Sequence, residues 1–217
     1  LSGKAGNTED YGKWFNQTIE EGNQIVGGQD SSKWSEFDLK ETVLRGRNAP
    51  SIIMWSLGNE VFQQTIDSSE HWKYPDVAKE LIQWVAEEDT TRYVTFGDNW
   101  FKGNVWADSD AVHTAEVIAD ARQYGVPGGL PGYNYGSSGQ IQNGNSRGWI
   151  VYGSETASAV NSRGVYDRKA SNSDGGVGDR RLTSYDQSNV SWGHRASAGL
   201  WITMRQNFNA GEFVWTG

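Results

Sequence analysis

Ser51-Ile52-Ile53-Met54-Trp55-Ser56-Leu57-Gly58-Asn59-Glu60 sets an apolar run directly before a polar end. Its first seven residues are almost continuously apolar, the form taken by a strand buried on both faces. The run then ends in a glycine, an amide and a carboxylate. The pattern recurs at Trp149-Ile150-Val151-Tyr152-Gly153, which leads into Ser154-Glu155-Thr156. Tyr93-Val94-Thr95-Phe96 is a shorter run, followed after Gly97 by Asp98, Asn99 and Trp100. Leu130-Pro131-Gly132-Tyr133-Asn134-Tyr135 is weakened by glycine and proline, and Glu212-Phe213-Val214-Trp215-Thr216 stands last.

Between these runs lie segments of helical period. Ser32 to Arg45 directs Trp34, Phe37 and Leu44 to one side. Pro75 to Glu88 spaces Val77, Leu81, Trp84 and Val85 as a helix does, with proline in the first turn. Asp110 to Tyr124 and Ala196 to Phe208 complete the set. Alternating strands and helices predict parallel β/α units. An eight-stranded closure is the commonest arrangement of such units, and five strands do not complete it. The expected fold class is therefore α/β: the C-terminal part, about strands 4–8, of a (β/α)8 TIM barrel, incomplete over residues 1–217 and forming one partial domain. An open five-stranded sheet is the structural alternative. Two polar stretches, 136–148 and 161–179, read as loops after strand ends, where barrels keep their chemistry.

The composition narrows the partners. A net charge of −8 repels nucleic acid and anionic membranes, and no basic run offsets it. No apolar run approaches the roughly 18 residues of a membrane span. Without cysteine there is no disulfide, thiolate nucleophile or Cys-metal site, which fits a cytoplasmic bacterial protein and equally a secreted one. Eleven Trp and nine Tyr on a background of 27 Gly suit a surface that stacks sugar rings, whose faces are apolar and rims polar. Ordinary core packing accounts for most of those aromatics.

Glu60 and Glu155 each follow a buried strand, on the rim where barrel active sites sit. Glycoside hydrolysis needs two such carboxyls: one protonates the leaving oxygen, and the other attacks the anomeric carbon or activates water. Either glutamate alone reads as a solvated loop residue or a helix N-terminal charge. From the pattern alone, a catalytic pair and two structural carboxylates stand about level.

The stretch Val43 to Glu60 closely resembles the acid/base signature of glycoside hydrolase family 2, and Gly153-Ser154-Glu155-Thr156-Ala157-Ser158 resembles that family's nucleophile segment. Gly132-Tyr133-Asn134-Tyr135 is similar to the end of strand 6, and Gly211 to Gly217 to strand 8. Leu182-Thr183-Ser184-Tyr185-Asp186 and Trp192-Gly193 follow the family's course between strands 7 and 8. Gly46 and Ala49 depart from it, standing where the family usually has Asp and His.

The resemblance implies a retaining exo-β-glycosidase. Glu60 is then the acid/base and Glu155 the nucleophile. Asn59 is placed on the sugar 2-hydroxyl, or else forms a turn. Tyr135 becomes a partner of Glu155, and Trp215 an apolar wall for the sugar, unless each simply packs. Asp98 and Asn99 shape the pocket, with capping of the next segment an equal alternative for Asp98. A β-galactoside is the expected substrate, with β-glucuronidase, β-mannosidase and an inactive carbohydrate-binding barrel as alternatives. The family also carries N-terminal β-domains and the first barrel strands, absent from this stretch. No cofactor motif is evident within it, and the family's metal ligands would fall outside it. The oligomeric state is left open.

Overall fold

The computed structural model describes residues 17–24, 32–64, 68–101, 109–159, 163–166, 184, 186, 190 and 192–216. Its elements alternate as expected: α1 (Trp34–Gly46), β1 (Met54–Asn59), α2 (Tyr74–Glu88), β2 (Tyr93–Asp98), α3 (Ser109–Ala119), β3 (Gly129–Asn134), α4 (Ser138–Ser146), β4 (Val151–Ala159), α5 (Ala196–Met204) and β5 (Asn209–Thr216). The five strands follow chain order in one sheet. The pairs β3–β4 and β4–β5 run parallel.

Two compact units are distinguished, residues 1–96 with 108–130, and 97–107 with 131–217. In the first, α2 buries Ala78, Ile82, Trp84 and Val85, and α3 buries Ala111, Ala115, Val117 and Ile118. Pro75 sits in the first turn of α2, where its missing N–H leaves no helical bond unmade. The β1 run is not buried on both faces as its apolarity suggested. Trp55 and Leu57 are buried, while Ser56 is exposed and Ile53 is 68% exposed. β2, an interior strand, is buried from Val94 to Asp98.

A carboxylate ties the start of β2 to that of β1. Asp89 Oδ2 accepts from Trp55 Nε1 at 2.9 Å and from Arg92 Nη1 at 2.7 Å, and Oδ1 accepts from Thr91 N at 2.8 Å and Thr91 Oγ1 at 2.6 Å. Burial pushes the Asp89 pKa up. The bonds from Thr91, Trp55 and Arg92 outweigh it and hold the carboxyl well below the usual carboxylate range. Arg92 also donates to Ile52 O and Ala49 O. Gly46 is part of this packing, because a Cβ there would lie 2.8 Å from both Ile52 Cδ1 and Trp55 Cη2. A side chain at position 46 would therefore require Ile52 or Trp55 to shift.

In the second unit the polar stretch 136–148 is not a loop. It forms α4, whose Gln140 side chain accepts the Ser137 N–H at 2.8 Å, half of a capping box. Its polar composition hid it, for only Ile141 supplies a large buried apolar side chain. The stretch 161–179 lies outside the described residues except for 163–166, as do Leu182, Thr183 and Tyr185. α5 stops at Met204, and β5 begins at Asn209, three residues before the apolar run suggested.

Candidate active site

Among the described residues, four non-glycine residues adopt the left-handed backbone: Glu60 (φ 50), Tyr135 (φ 53), Ala157 (φ 67) and Ser158 (φ 60). Each costs about 1 kcal/mol or more and persists only where the surroundings fix it, a pattern concentrated at functional sites. Glu60 directly follows β1, Tyr135 directly follows β3, and the other two lie in the last part of β4. Strain therefore falls at the C-terminal ends of strands.

In the first unit, Asn59 is half-buried as the last residue of β1, and Glu60 beyond it is only 3% exposed. A glutamate this buried is not the solvated loop residue of the simpler reading. His71 is buried too, edge-on to Phe62 at 5.1 Å, and serves packing.

In the second unit, β3 and β4 bring Tyr135 and Glu155 together. The Tyr135 hydroxyl donates to Glu155 Oε2 at 2.5 Å, and the Tyr135 N–H donates to the Glu155 carbonyl at 2.6 Å. The register explains how. Gly132 pairs with Tyr152 and Asn134 with Glu155, so two steps along β3 match three along β4. That bulge turns the glutamate relative to a regular ladder. Glu155 is not beyond the strand, as expected, but within it, since β4 continues to Ala159. The apolar pattern ends at Gly153 because the residues that follow are held by bulged backbone pairing rather than by apolar side chains.

The remaining expected residues divide. Trp215 pairs with Ala157 in the β4–β5 register and is 40% exposed. Asp98 is fully buried at the end of β2, and its Oδ1 accepts the Trp100 N–H at 2.8 Å. That bond closes a local turn over residues 98–100. Asn99 is half-buried beside it. Around the end of β4, Val190 N–H donates to Ser158 O and His194 N–H to Ala157 O, and a Cβ on Gly193 would meet Ala157 O at 2.2 Å. Sequence reasoning passed over Ser154 and Asn134. The Ser154 hydroxyl donates to Asn134 Oδ1 at 2.5 Å, and Asn134 is fully buried. Ser154 carries no motif signal beyond its place next to Glu155. Among the described residues, no group of three or more His, Asp or Glu side chains is arranged to hold a metal ion, and no helix is long and apolar enough to cross a membrane.

With this geometry in view, the family model for glycosyl hydrolases family 2, TIM barrel domain, matches residues 7–125, more than half of the chain. The chain belongs to glycoside hydrolase family 2. The match takes in Glu60 and the whole of β1 and β2. Among relatives of this family 2 chain, the β-galactosidase BoGH2A of Bacteroides ovatus is 26% identical over an alignment of 247 residues, covering 96% of the chain and 25% of that protein. A putative β-glucuronidase of Formosa agariphila is 38% identical over 71 residues, 33% of the chain and 6% of that protein. Two solved structures share the fold. A family 2 member from Bacteroides cellulosilyticus has a TM-score of 0.51 at 22% identity, over 84% of this chain and 18% of its own. The Bacteroides uniformis β-glucuronidase has 0.54 at 13% identity, over 86% and 22%. The family 2 chain thus spans about a quarter of the length of BoGH2A, and its fold is that of part of a TIM barrel.

Proposed function

We propose that this chain supplies the catalytic carboxyls of a retaining exo-β-glycosidase, acting on terminal β-galactosides as part of a larger polypeptide. The observation that carries the reading is the Tyr135–Glu155 bond at a strained strand end. A carboxylate held by a phenol at 2.5 Å is oriented for attack and unable to swing away.

In this reading a Glu155 oxygen attacks the anomeric carbon while Glu60 gives its proton to the departing glycosidic oxygen. The glycosyl-enzyme ester is then opened by water, whose proton passes to Glu60. Asn59 binds the sugar 2-hydroxyl, a contact that tightens in the transition state. Trp215, with its ring partly exposed, gives the apolar face of the sugar a wall. Asn99 contributes to the pocket edge, and Asp98 to its shape through the turn it closes.

The galactoside preference rests on the alignment with BoGH2A, which runs the length of the chain. A glucuronide is the second reading, favoured by the higher identity over the shorter match to the Formosa protein. Full-length enzyme assayed with nitrophenyl β-galactoside, β-glucuronide and β-mannoside separates them. Fastest turnover of the galactoside, lost in Glu155→Gln, is the expected result. Preference for the glucuronide replaces the substrate, and equal turnover by Glu155→Gln removes Glu155 from the mechanism.

A further inference from the structure

The bulge that presents Glu155 needs something to hold it. A strand shifted by one residue sends each side chain to the opposite face, so slack at this point would turn Glu155 away. Beside the Tyr135–Glu155 bond, a second side-chain bond crosses the bulge, from Ser154 Oγ to Asn134 Oδ1, spanning from the residue before Glu155 to the residue before Tyr135. Its neighbours make room for it. A Cβ on Gly132 would lie 2.5 Å from Ser154 Oγ and 2.7 Å from Ser154 Cβ, so glycine at that position is what lets the serine side chain lie against β3. Asn134 is fully buried and is the register partner of Glu155. One residue further on, the backbone takes its left-handed turn and Tyr135 reaches Glu155 with both its N–H and its hydroxyl.

We propose that Ser154 and Asn134 are a positioning pair that pins the β3–β4 bulge and thereby sets the Tyr135 hydroxyl on the Glu155 carboxylate. Neither touches the reacting atoms; both act through Tyr135 and Glu155. The inference rests on the glycosidase reading of the same site, and the experiment keeps the two apart.

The test uses full-length enzyme and a 2-deoxy-2-fluoro-β-galactosyl fluoride. A Glu155 oxygen bonds to the anomeric carbon as fluoride leaves with the bonding pair, and the ester accumulates. Ser154→Ala and Asn134→Ala are each expected to lower the labelling rate constant about tenfold, with close to one label per chain still reached. Ser154→Ala combined with Tyr135→Phe is expected to be no slower than Tyr135→Phe alone, because both changes loosen one bond. A purely structural role predicts the reverse split, fewer labelled chains at an unchanged rate constant, and that result overturns the proposal. So does a double variant whose losses multiply. If the wild type neither turns over any glycoside nor takes the label, the glycosidase reading fails and this inference with it. Wild-type labelling matched by Ser154→Ala sinks the positioning pair alone.

Discussion

Asp89, just before a strand, and Glu155, within one, are both carboxylates, and the chain treats them in opposite ways. Asp89 precedes β2, is 5% exposed, and is surrounded by donors from Trp55, Thr91 and Arg92. Glu155 lies near the far end of β4, half-buried, with Tyr135 on one carboxylate oxygen and a strained, bulged backbone around it. In barrels of this kind the N-terminal ends of strands serve stability and the C-terminal ends serve chemistry. A carboxylate enclosed by fixed donors ties two strands together and has no capacity left for a substrate. Glu155 is set by its neighbour across a bulged register, through the Tyr135 hydroxyl and N–H.

The largest effect that can break this contrast is on activity at β4. Glu155→Gln in full-length enzyme should lower kcat roughly 10⁴-fold while leaving the melting temperature within a few degrees, measured by nitrophenyl glycoside hydrolysis and calorimetry. Tyr135→Phe should follow with a loss of about 10²-fold, since it removes one preorganised donor. Asp89→Ala should reverse the pattern. It leaves the Trp55 and Arg92 donors without their acceptor and should cost about 3 kcal/mol of stability at neutral pH, with kcat of the folded fraction unchanged. The pH dependence follows from the sign of the shift. The folded Asp89 pKa lies below the unfolded value of about 3.9, so its contribution is complete above that value and disappears as pH falls through the folded one. Denaturation curves of wild type and Asp89→Ala should therefore converge at low pH, and a constant gap between them would contradict the role given to Asp89.

The smallest effect concerns the neighbouring tyrosine. Tyr133 stands two residues before Tyr135, is 1% exposed, and has a hydroxyl with no hydrogen-bond partner among the described residues. Burial pushes its phenol up to about 12, against a smaller lowering by Arg147. Tyr133→Phe should thus leave activity intact and change stability by no more than about 1 kcal/mol in either direction. A loss of activity like that of Tyr135→Phe would show that the two neighbouring tyrosines do not divide between packing and chemistry in this way.

Much of this arrangement was legible from residues alone. The order of strands and helices followed from apolar runs and helical spacing, and Glu60 and Glu155 stood out because each ended such a run. What escaped was held by backbone rather than by pattern. α4 has too few apolar residues for a periodicity to show, and its start is marked by a cap instead. The exposure of Ile53 is likewise not encoded in the run itself. The extension of β4 past Glu155, and the Ser154–Asn134 bond beside it, depend on a bulged register between residues twenty apart. No local sequence signal specifies that register, although Gly132 is the residue that permits it.

The most direct test of the account is to identify the residue that becomes glycosylated. Full-length enzyme trapped with a 2-deoxy-2-fluoro glycoside, digested and sequenced by mass spectrometry, should carry the sugar on Glu155 and on no other residue. A label on Glu60 or elsewhere, or turnover of substrate by an enzyme that never takes the label, would contradict it.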